Sequence, residues 1–381
     1  MSSERMVSNS KNGGLYFLAI CILVFVVIGC IQEFSPPEVN SVESYLVVDG
    51  FLNAGNDTSI IQLRRTQNTN DNSAIRIESG AIITVSSEGG ETYAFSETRS
   101  GVYQLPPVNI DETKKYRLSI KTVKGSEYLL EDVPVVITPP IDSVANRYDE
   151  GRDAMVISVN TRDPKNNTRF YRWKFEETYQ YRTAYYSALE VDVPNKQIIG
   201  RKEDVHLCWK TNESASILLG TTIKLSSDEI KGLTVNVVPV NTNKFYIKYS
   251  INVKQYGLTR SEFEYWTNLS KTTQGTGTLF DPMPSLVTGN IKNVADNKEL
   301  VFGYFSVSTE TVKRVFIEPK LGRYPTCYAP DTVKISEAIA NPYGVLLNYD
   351  ERNGYVLRSG EDCADCRAQG GTIVKPAFWK D

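Results

Sequence analysis

Alternation of apolar and polar residues is the feature that most narrows what this chain can fold into. Tyr116-Arg117-Leu118-Ser119-Ile120 alternates without a break. So does 245–253, where Phe245, Ile247, Tyr249, Ile251 and Val253 take every second position. A longer stretch, 170–181, sets Tyr171, Trp173 and Phe175 on one side and Arg172, Lys174 and Glu176 on the other. A period of two sends successive side chains to opposite faces of an extended chain, so each stretch reads as a half-buried strand. Half-buried strands with one polar face belong to antiparallel sheets.

Residues 45–140 hold about seven short apolar runs separated by turn signals such as Asp49-Gly50 and Gly89-Gly90, and no helical pattern competes. That spacing predicts an immunoglobulin-like sandwich. Gly101-x-Tyr103 followed by Tyr116-x-Leu118-x-Ile120 resembles the prealbumin-like and fibronectin-like modules of surface proteins. Thr138-Pro139-Pro140 marks a boundary, because two prolines stop a strand and stiffen a junction. Residues 141–381 read as a larger antiparallel β domain, with 205–209 and 233–238 among its strands. Residues 300–307 and 312–317 are expected to pair as a hairpin. The fold class is therefore mostly β, with one conspicuous helix at about 260–272. Thr259 is its N-cap, Glu262 completes a capping box, and Leu258 and Phe263 form the staple. Phe263, Trp266 and Leu269 share one helical face, and core packing is the expected role of Trp266. The tail from Arg323 carries three cysteines and little apolar periodicity.

The N-terminus has a different character. Arg5 and Lys11 precede fourteen unbroken apolar residues, Leu15 to Ile28. A charged region, a short apolar run and a small residue before the cut make a signal peptide over 1–29. The run is short of the roughly 20 residues a membrane-spanning helix needs. Val27-Ile28-Gly29-Cys30 resembles the lipobox of bacterial lipoproteins. The resemblance implies cleavage before Cys30 and a diacylglycerol thioether on its thiol, which would hold the protein to a membrane. An ordinary secretory signal with a chance Cys, or an uncleaved anchor, is the alternative. Residues 30–44, with Pro36-Pro37, read as a tether. Glu33 and Glu38 resemble a weak form of the acidic signal that sends Bacteroidota lipoproteins to the cell surface.

Export shapes the reading of the cysteines. Cys208, Cys327, Cys363 and Cys366 remain after Cys21 leaves with the signal and Cys30 is lipidated, and an even count in an exported chain reads as disulfides. Four cysteines allow three pairings, which the sequence leaves open. The C-x-x-C spacing of Cys363 and Cys366 also suits a redox pair or half a zinc site, but it lacks a βαβ context and a second C-x-x-C.

Catalytic motifs are sparse. His206 is the one histidine, and it reads as a packed or surface residue, since no Gly-x-Ser-x-Gly elbow accompanies it. Mononuclear zinc catalysis normally draws on several histidines. No Gly-x-x-x-x-Gly-Lys-Ser/Thr loop and no Gly-x-Gly-x-x-Gly fingerprint occurs. The net charge is −3; loss of Glu4, Arg5 and Lys11 with the signal leaves −4, and no basic excess points to nucleic acid. Glu176-Glu177 is the one acidic pair on the aromatic strand, and a strand sends its members apart. Residues 67–73 are rich in Asn and read as a loop. The 22 tyrosines suit sheets and binding faces alike. These features predict no enzyme, no catalytic residue, no metal and no cofactor.

Several stretches together resemble one family. They are the lipobox, Leu46-Val47-Val48-Asp49-Gly50, Tyr265-Trp266, Phe280-Asp281-Pro282-x-Pro284, Gly289-Asn290-Ile291 and Gly303-Tyr304-Phe305. The tail adds Cys363-x-x-Cys366-Arg367, Gly370-Gly371-Thr372 and Pro376-x-Phe378-Trp379. The family is a large Bacteroidota group of outer-membrane lipoproteins known only as a domain of unknown function. Members are often encoded beside TonB-dependent receptors, which implies an outer-membrane partner, and no residue role comes with them. The expectation is a lipid-anchored outer-membrane protein facing the cell exterior, an accessory ligand-capture or lid subunit of TonB-dependent transport, with its ligand unknown. An independent adhesive or glycan-binding module is the first alternative, and a carboxylate-based hydrolase the second.

Overall fold

A computed structural model describes residues 44–67, 71, 73–274, 286–318, 321 and 326–380. The expected signal peptide, Cys30, nearly all of the 30–44 tether, most of the Asn-rich 68–72 loop and the Phe280-Asp281-Pro282-x-Pro284 stretch lie outside them. The fold is mostly β. Among the described residues no helix is long and apolar enough to cross a membrane.

The first sandwich begins with β1 (Leu46–Asn53), β2 (Ser59–Arg65), β3 (Ile82–Ser87), β4 (Thr92–Ala94), β5 (Ser96–Arg99), β6 (Val102–Leu105), β7 (Lys115–Lys121) and β8 (Glu127–Val136). The alternation in β7 is realised: Tyr116, Leu118 and Ile120 are buried and pack with Val48, Leu63, Ile83 and Val85 in one core. Asp49-Gly50 is not a turn but the middle of β1. A Cβ on Gly50 would lie 2.2 Å from the Ile60 carbonyl oxygen, so the glycine serves close strand approach rather than a reversal.

The second sandwich follows. It comprises β9 (Ile141–Asp149), β10 (Ala154–Arg162), β11 (Phe170–Arg182), the hairpin of β12 (Leu189–Asp192) and β13 (Gln197–Gly200), β14 (Leu207–Glu213), β15 (Leu218–Thr221), β16 (Glu229–Pro239) and β17 (Lys248–Gly257). One sheet runs β16-β10-β9, and β11 lies in the other, between β14 and β17. Trp173, Tyr171, Ile251 and Val253 face Ile157, Val159 and Val235 across a shared core. Helix α1 (Arg260–Thr273) comes next, within one residue of the expected end, and the Thr259 hydroxyl accepts from the Glu262 N–H at 3.2 Å.

The chain then returns to the first sandwich. The expected hairpin of 300–307 with 312–317 does not form. Instead β18 (Lys292–Asn293) pairs with β8, β19 (Val301–Phe302) runs parallel to β1, and β20 (Val307–Ser308) lies parallel to both β1 and β8. β21 (Glu310–Ile317) pairs with β17 instead. Glycines explain the insertion. Gly303 sits at φ +94°, and a Cβ there would lie 1.8 Å from the Val48 carbonyl oxygen; one on Gly289 would lie 1.6 Å from that of Gly303. Asn290 completes the seam, donating to the Phe305 carbonyl at 2.8 Å and accepting the Phe305 N–H at 3.0 Å.

The tail is more ordered than its composition suggests. β22 (Asp331–Lys334), α2 (Ile335–Ala340), β23 (Val345–Tyr349) and β24 (Tyr355–Ser359) form a small sheet with a helix, and α3 (Glu361–Ala364) follows. Its core is Val333, Ala338, Leu346 and Val356 with Leu189. All four cysteines are paired, as Cys208–Cys366 and Cys327–Cys363, so the two halves of the C-x-x-C serve different partners. The first bridge closes a long loop and ties the tail to β14. Gly371 fits only without a side chain, since a Cβ would lie 2.3 Å from the Tyr181 hydroxyl. Trp379 packs edge-on against Trp209 and Phe316.

The Pro139-Pro140 junction is held by hydrogen bonds. The buried Gln255 amide donates to the Pro139 carbonyl at 2.8 Å and to Thr161 Oγ1 at 3.0 Å, and accepts from Trp173 Nε1 at 2.9 Å. The Gly257 N–H donates to Thr138 Oγ1 at 2.9 Å. Gln255→Leu strands the buried Trp173 indole N–H, while the Pro139 carbonyl keeps its bond from Thr311 Oγ1 at 3.1 Å, and is expected to cost about 2 kcal/mol. Urea unfolding of the full chain measures it, and a loss under about 1 kcal/mol contradicts this role.

Candidate functional site

β11 divides its side chains between two environments. Its apolar face builds the core, and Arg172, Lys174 and Glu176 point the other way. The register with β17 sets Arg172 opposite Tyr256, Lys174 opposite Lys254, and Glu176 opposite Asn252. On β21, Arg314 lies opposite Asn252 and pairs with Glu176 at 2.9 Å. The two lysines are treated differently. They lie directly across from each other, and neither has a carboxylate within salt-bridge distance among the described residues. Like charges in that arrangement destabilise a sheet.

A hollow of about 280 Å³ opens over this face. Its opposite wall is the outer surface of the first sandwich: Asp49 and Phe51 of β1, and Ile60 and Gln62 of β2. Glu262 and Trp266 of α1, with Tyr304 and Ser306, close the side. Aromatic contacts fix the walls. Phe51 meets Tyr256 edge-on at 5.5 Å, Tyr304 lies 5.2 Å from Tyr265, and the Tyr304 and Ser261 hydroxyls are hydrogen-bonded at 2.8 Å.

Arg172 is the most constrained cation. Its guanidinium carbon stands 3.5 Å from the centre of the Trp266 ring, a cation–π stack. Its Nε is buried and has no hydrogen-bond partner among the described residues. Burial lowers its pKa, offset in part by Glu262. Trp266 therefore holds a cation at the wall of the hollow and is only half-buried, which corrects the expectation of core packing. Lys174 keeps an exposed side chain, yet the protein mass around the hollow lowers its pKa, and Arg172 pushes it further down.

Glu262 is the one buried residue of α1, at 4% exposure. Its carboxylate does not complete the capping box. Oε1 accepts instead from Trp266 Nε1 at 3.4 Å and Ser306 Oγ at 3.2 Å, and Oε2 has no partner. Burial raises its pKa to about 7, against the hydrogen bonds and the Arg172 charge that favour the ionised form. The hollow thus joins three cations to a carboxyl group that titrates near neutrality and to the exposed Asp49. Such an arrangement can bind an anion.

The residues weighed for chemistry and set aside, His206 and the Glu176-Glu177 pair, do not line the hollow. His206 stands just before β14; its Nδ1 is 2.8 Å from Thr183 Oγ1, and burial lowers its pKa. Glu176 and Glu177 face opposite sides. Glu177 is buried, accepts from the Tyr249 hydroxyl at 2.8 Å and pairs with Lys244. Among the described residues no three His, Cys, Asp or Glu side chains are grouped to hold a metal ion. Sequence reasoning passed over Arg172, Lys174 and Lys254 because a charged strand face reads as solvated. The signal available was two unmatched basic positions on β11 and a third on β17, but the register that unites them is not legible locally.

Glu262 makes stability depend on pH. Its folded-state pKa exceeds the ordinary 4.5, so the folded protein retains the extra proton in that interval. Its stabilising contribution is full below about pH 4.5 and is lost as pH rises through 7, up to about 3 kcal/mol. Glu262→Gln is expected to flatten the fall in Tm between about pH 5 and pH 8. Calorimetry at the two pH values checks it, and an unchanged slope excludes Glu262 as its source.

Compared with known families, the chain matches the family model described as a domain of unknown function, DUF4249, over residues 31–314. The tail motifs beyond Arg314 lie outside that match. No curated protein matches the chain.

Proposed function

The chain belongs to the DUF4249 family of unknown function, and from that premise we propose that it is an outer-membrane lipoprotein facing the cell exterior, acting as an accessory ligand-capture or lid subunit of a TonB-dependent uptake system. The observation that carries the reading is the hollow between the sandwiches, where Lys174 and Lys254 stand opposed with no carboxylate within salt-bridge distance among the described residues. A sheet face built only for stability matches its charges, as Glu176 and Arg314 do beside them. The lipobox-like Val27-Ile28-Gly29-Cys30 supports attachment to a membrane. Two acyl signals, or one with a second attraction, hold a chain stably where a single one is marginal. The tether after Cys30 would let the sandwiches reach a neighbouring barrel.

Gentle solubilisation of a tagged full chain from outer membranes tests the reading. The expected result is a stoichiometric β-barrel partner, together with a Cys30→Ala variant that is no longer membrane-bound. Recovery of the chain alone overturns the transporter role and leaves an independent adhesive or glycan-binding module. A Cys30→Ala chain that stays attached overturns the lipid anchor.

A further inference from the structure

We infer that the hollow between the two sandwiches binds a small oxyanion-bearing molecule, a carboxylate or phosphate, through Arg172, Lys174 and Lys254. This deepens the ligand-capture reading and rests on it for the biological setting, while the chemistry rests on the hollow itself.

Three independent features converge. The first is a cross-strand repulsion that Asp49 and Glu213 offset only from beyond salt-bridge distance. Lys174 and Lys254 are direct cross-strand neighbours, and Arg172 lies two residues along the same face of β11. No carboxylate comes within salt-bridge distance of any of the three among the described residues, although the sheet places Arg314 beside Glu176 only one pair further on. An arriving oxyanion supplies the missing negative charge at the point where three cations converge.

The second is preorganisation. Stacking on Trp266 at 3.5 Å fixes the plane of the Arg172 guanidinium, and its buried Nε–H is unspent. A planar guanidinium recognises carboxylate and phosphate through paired N–H donors, and one that is already immobilised loses little entropy on binding.

The third is the rest of the lining, beginning with the side that α1 closes. Glu262 is 4% exposed, and its Oε2 has no partner among the described residues. Held near its neutral form by burial, it tolerates an anion nearby, where an ordinary glutamate would repel one. Phe51, Trp266 and Tyr304 give a ligand an apolar or hydroxylated body to lie against, and about 280 Å³ limits it to a small molecule or to one end of a larger one.

Calorimetric titration of the full chain in mild detergent tests this, with inorganic phosphate in one arm, citrate in another and chloride at matched ionic strength as control. Saturable one-to-one binding of phosphate or citrate, absent with chloride, is the expected result, and the stronger arm identifies the oxyanion. Lys254→Met and Lys174→Met are expected to weaken binding by about tenfold or more each. Both should leave Tm without ligand unchanged or raised, since each relieves the cross-strand repulsion. Arg172→Lys, which keeps the charge but loses the fork, should weaken binding as well. Absence of binding in both arms overturns the inference, as does binding that survives the lysine substitutions. Binding without a barrel partner in the solubilisation experiment refutes the transporter role alone, and a partner without binding refutes the oxyanion site alone.

Discussion

The pairing of β11 with β17 over ten positions is the constraint on which the rest depends. An antiparallel ladder of that length fixes two faces at once. One face buries Trp173, Tyr171, Ile251 and Val253 against the β16-β10-β9 sheet and supplies the second core. The other is obliged to present Arg172, Lys174, Lys254 and Tyr256 together. A slip of one residue would exchange the two faces, exposing the aromatic set and burying the cations, so the apolar core enforces the register that assembles the hollow.

The hollow also needs its second wall, and the chain reaches it by an unusual route. After β17 and α1 it returns to the first sandwich, where β19 and β20 lie parallel to β1. Gly289 and Gly303 permit backbone contacts that no Cβ could enter. The same segment carries Tyr304 and Ser306 to the rim. The glycine motif thus acts on the site through placement, and the chain crosses between the sandwiches again from β20 to β21. The Gln255 network at Pro139-Pro140 joins them a second time. The tail acts elsewhere. Its disulfide from Cys366 to Cys208 and the packing of Trp379 on Trp209 close the far end of the second sandwich.

Several features of the hollow run against stability: opposed lysines, a buried guanidinium N–H without a partner, and a buried carboxyl with one free oxygen. Asp228 is satisfied by Tyr171 and Thr222, and Glu177 by Tyr249 and Lys244, whereas Trp209, Arg358 and Trp379 each keep one buried nitrogen without a partner among the described residues.

The sequence by itself determined the long alternating strands such as β7, β11 and β17 with their buried faces, helix α1 with its Thr259 cap, and the oxidised state of the four cysteines. Each of these follows from short-range pattern: a period of two, a cap at the right offset, an even count of thiols. The tertiary structure alone decided which cysteines pair, that residues 292–308 insert beside β1 and not into a hairpin, and that Glu262 turns from its expected cap toward Trp266 and Ser306. It also decided that Lys174 meets Lys254. Those outcomes are set by register and by contacts between positions far apart in the chain. A basic residue on a strand reads the same whether it faces water, an acid or another lysine, until the partner strand is in place.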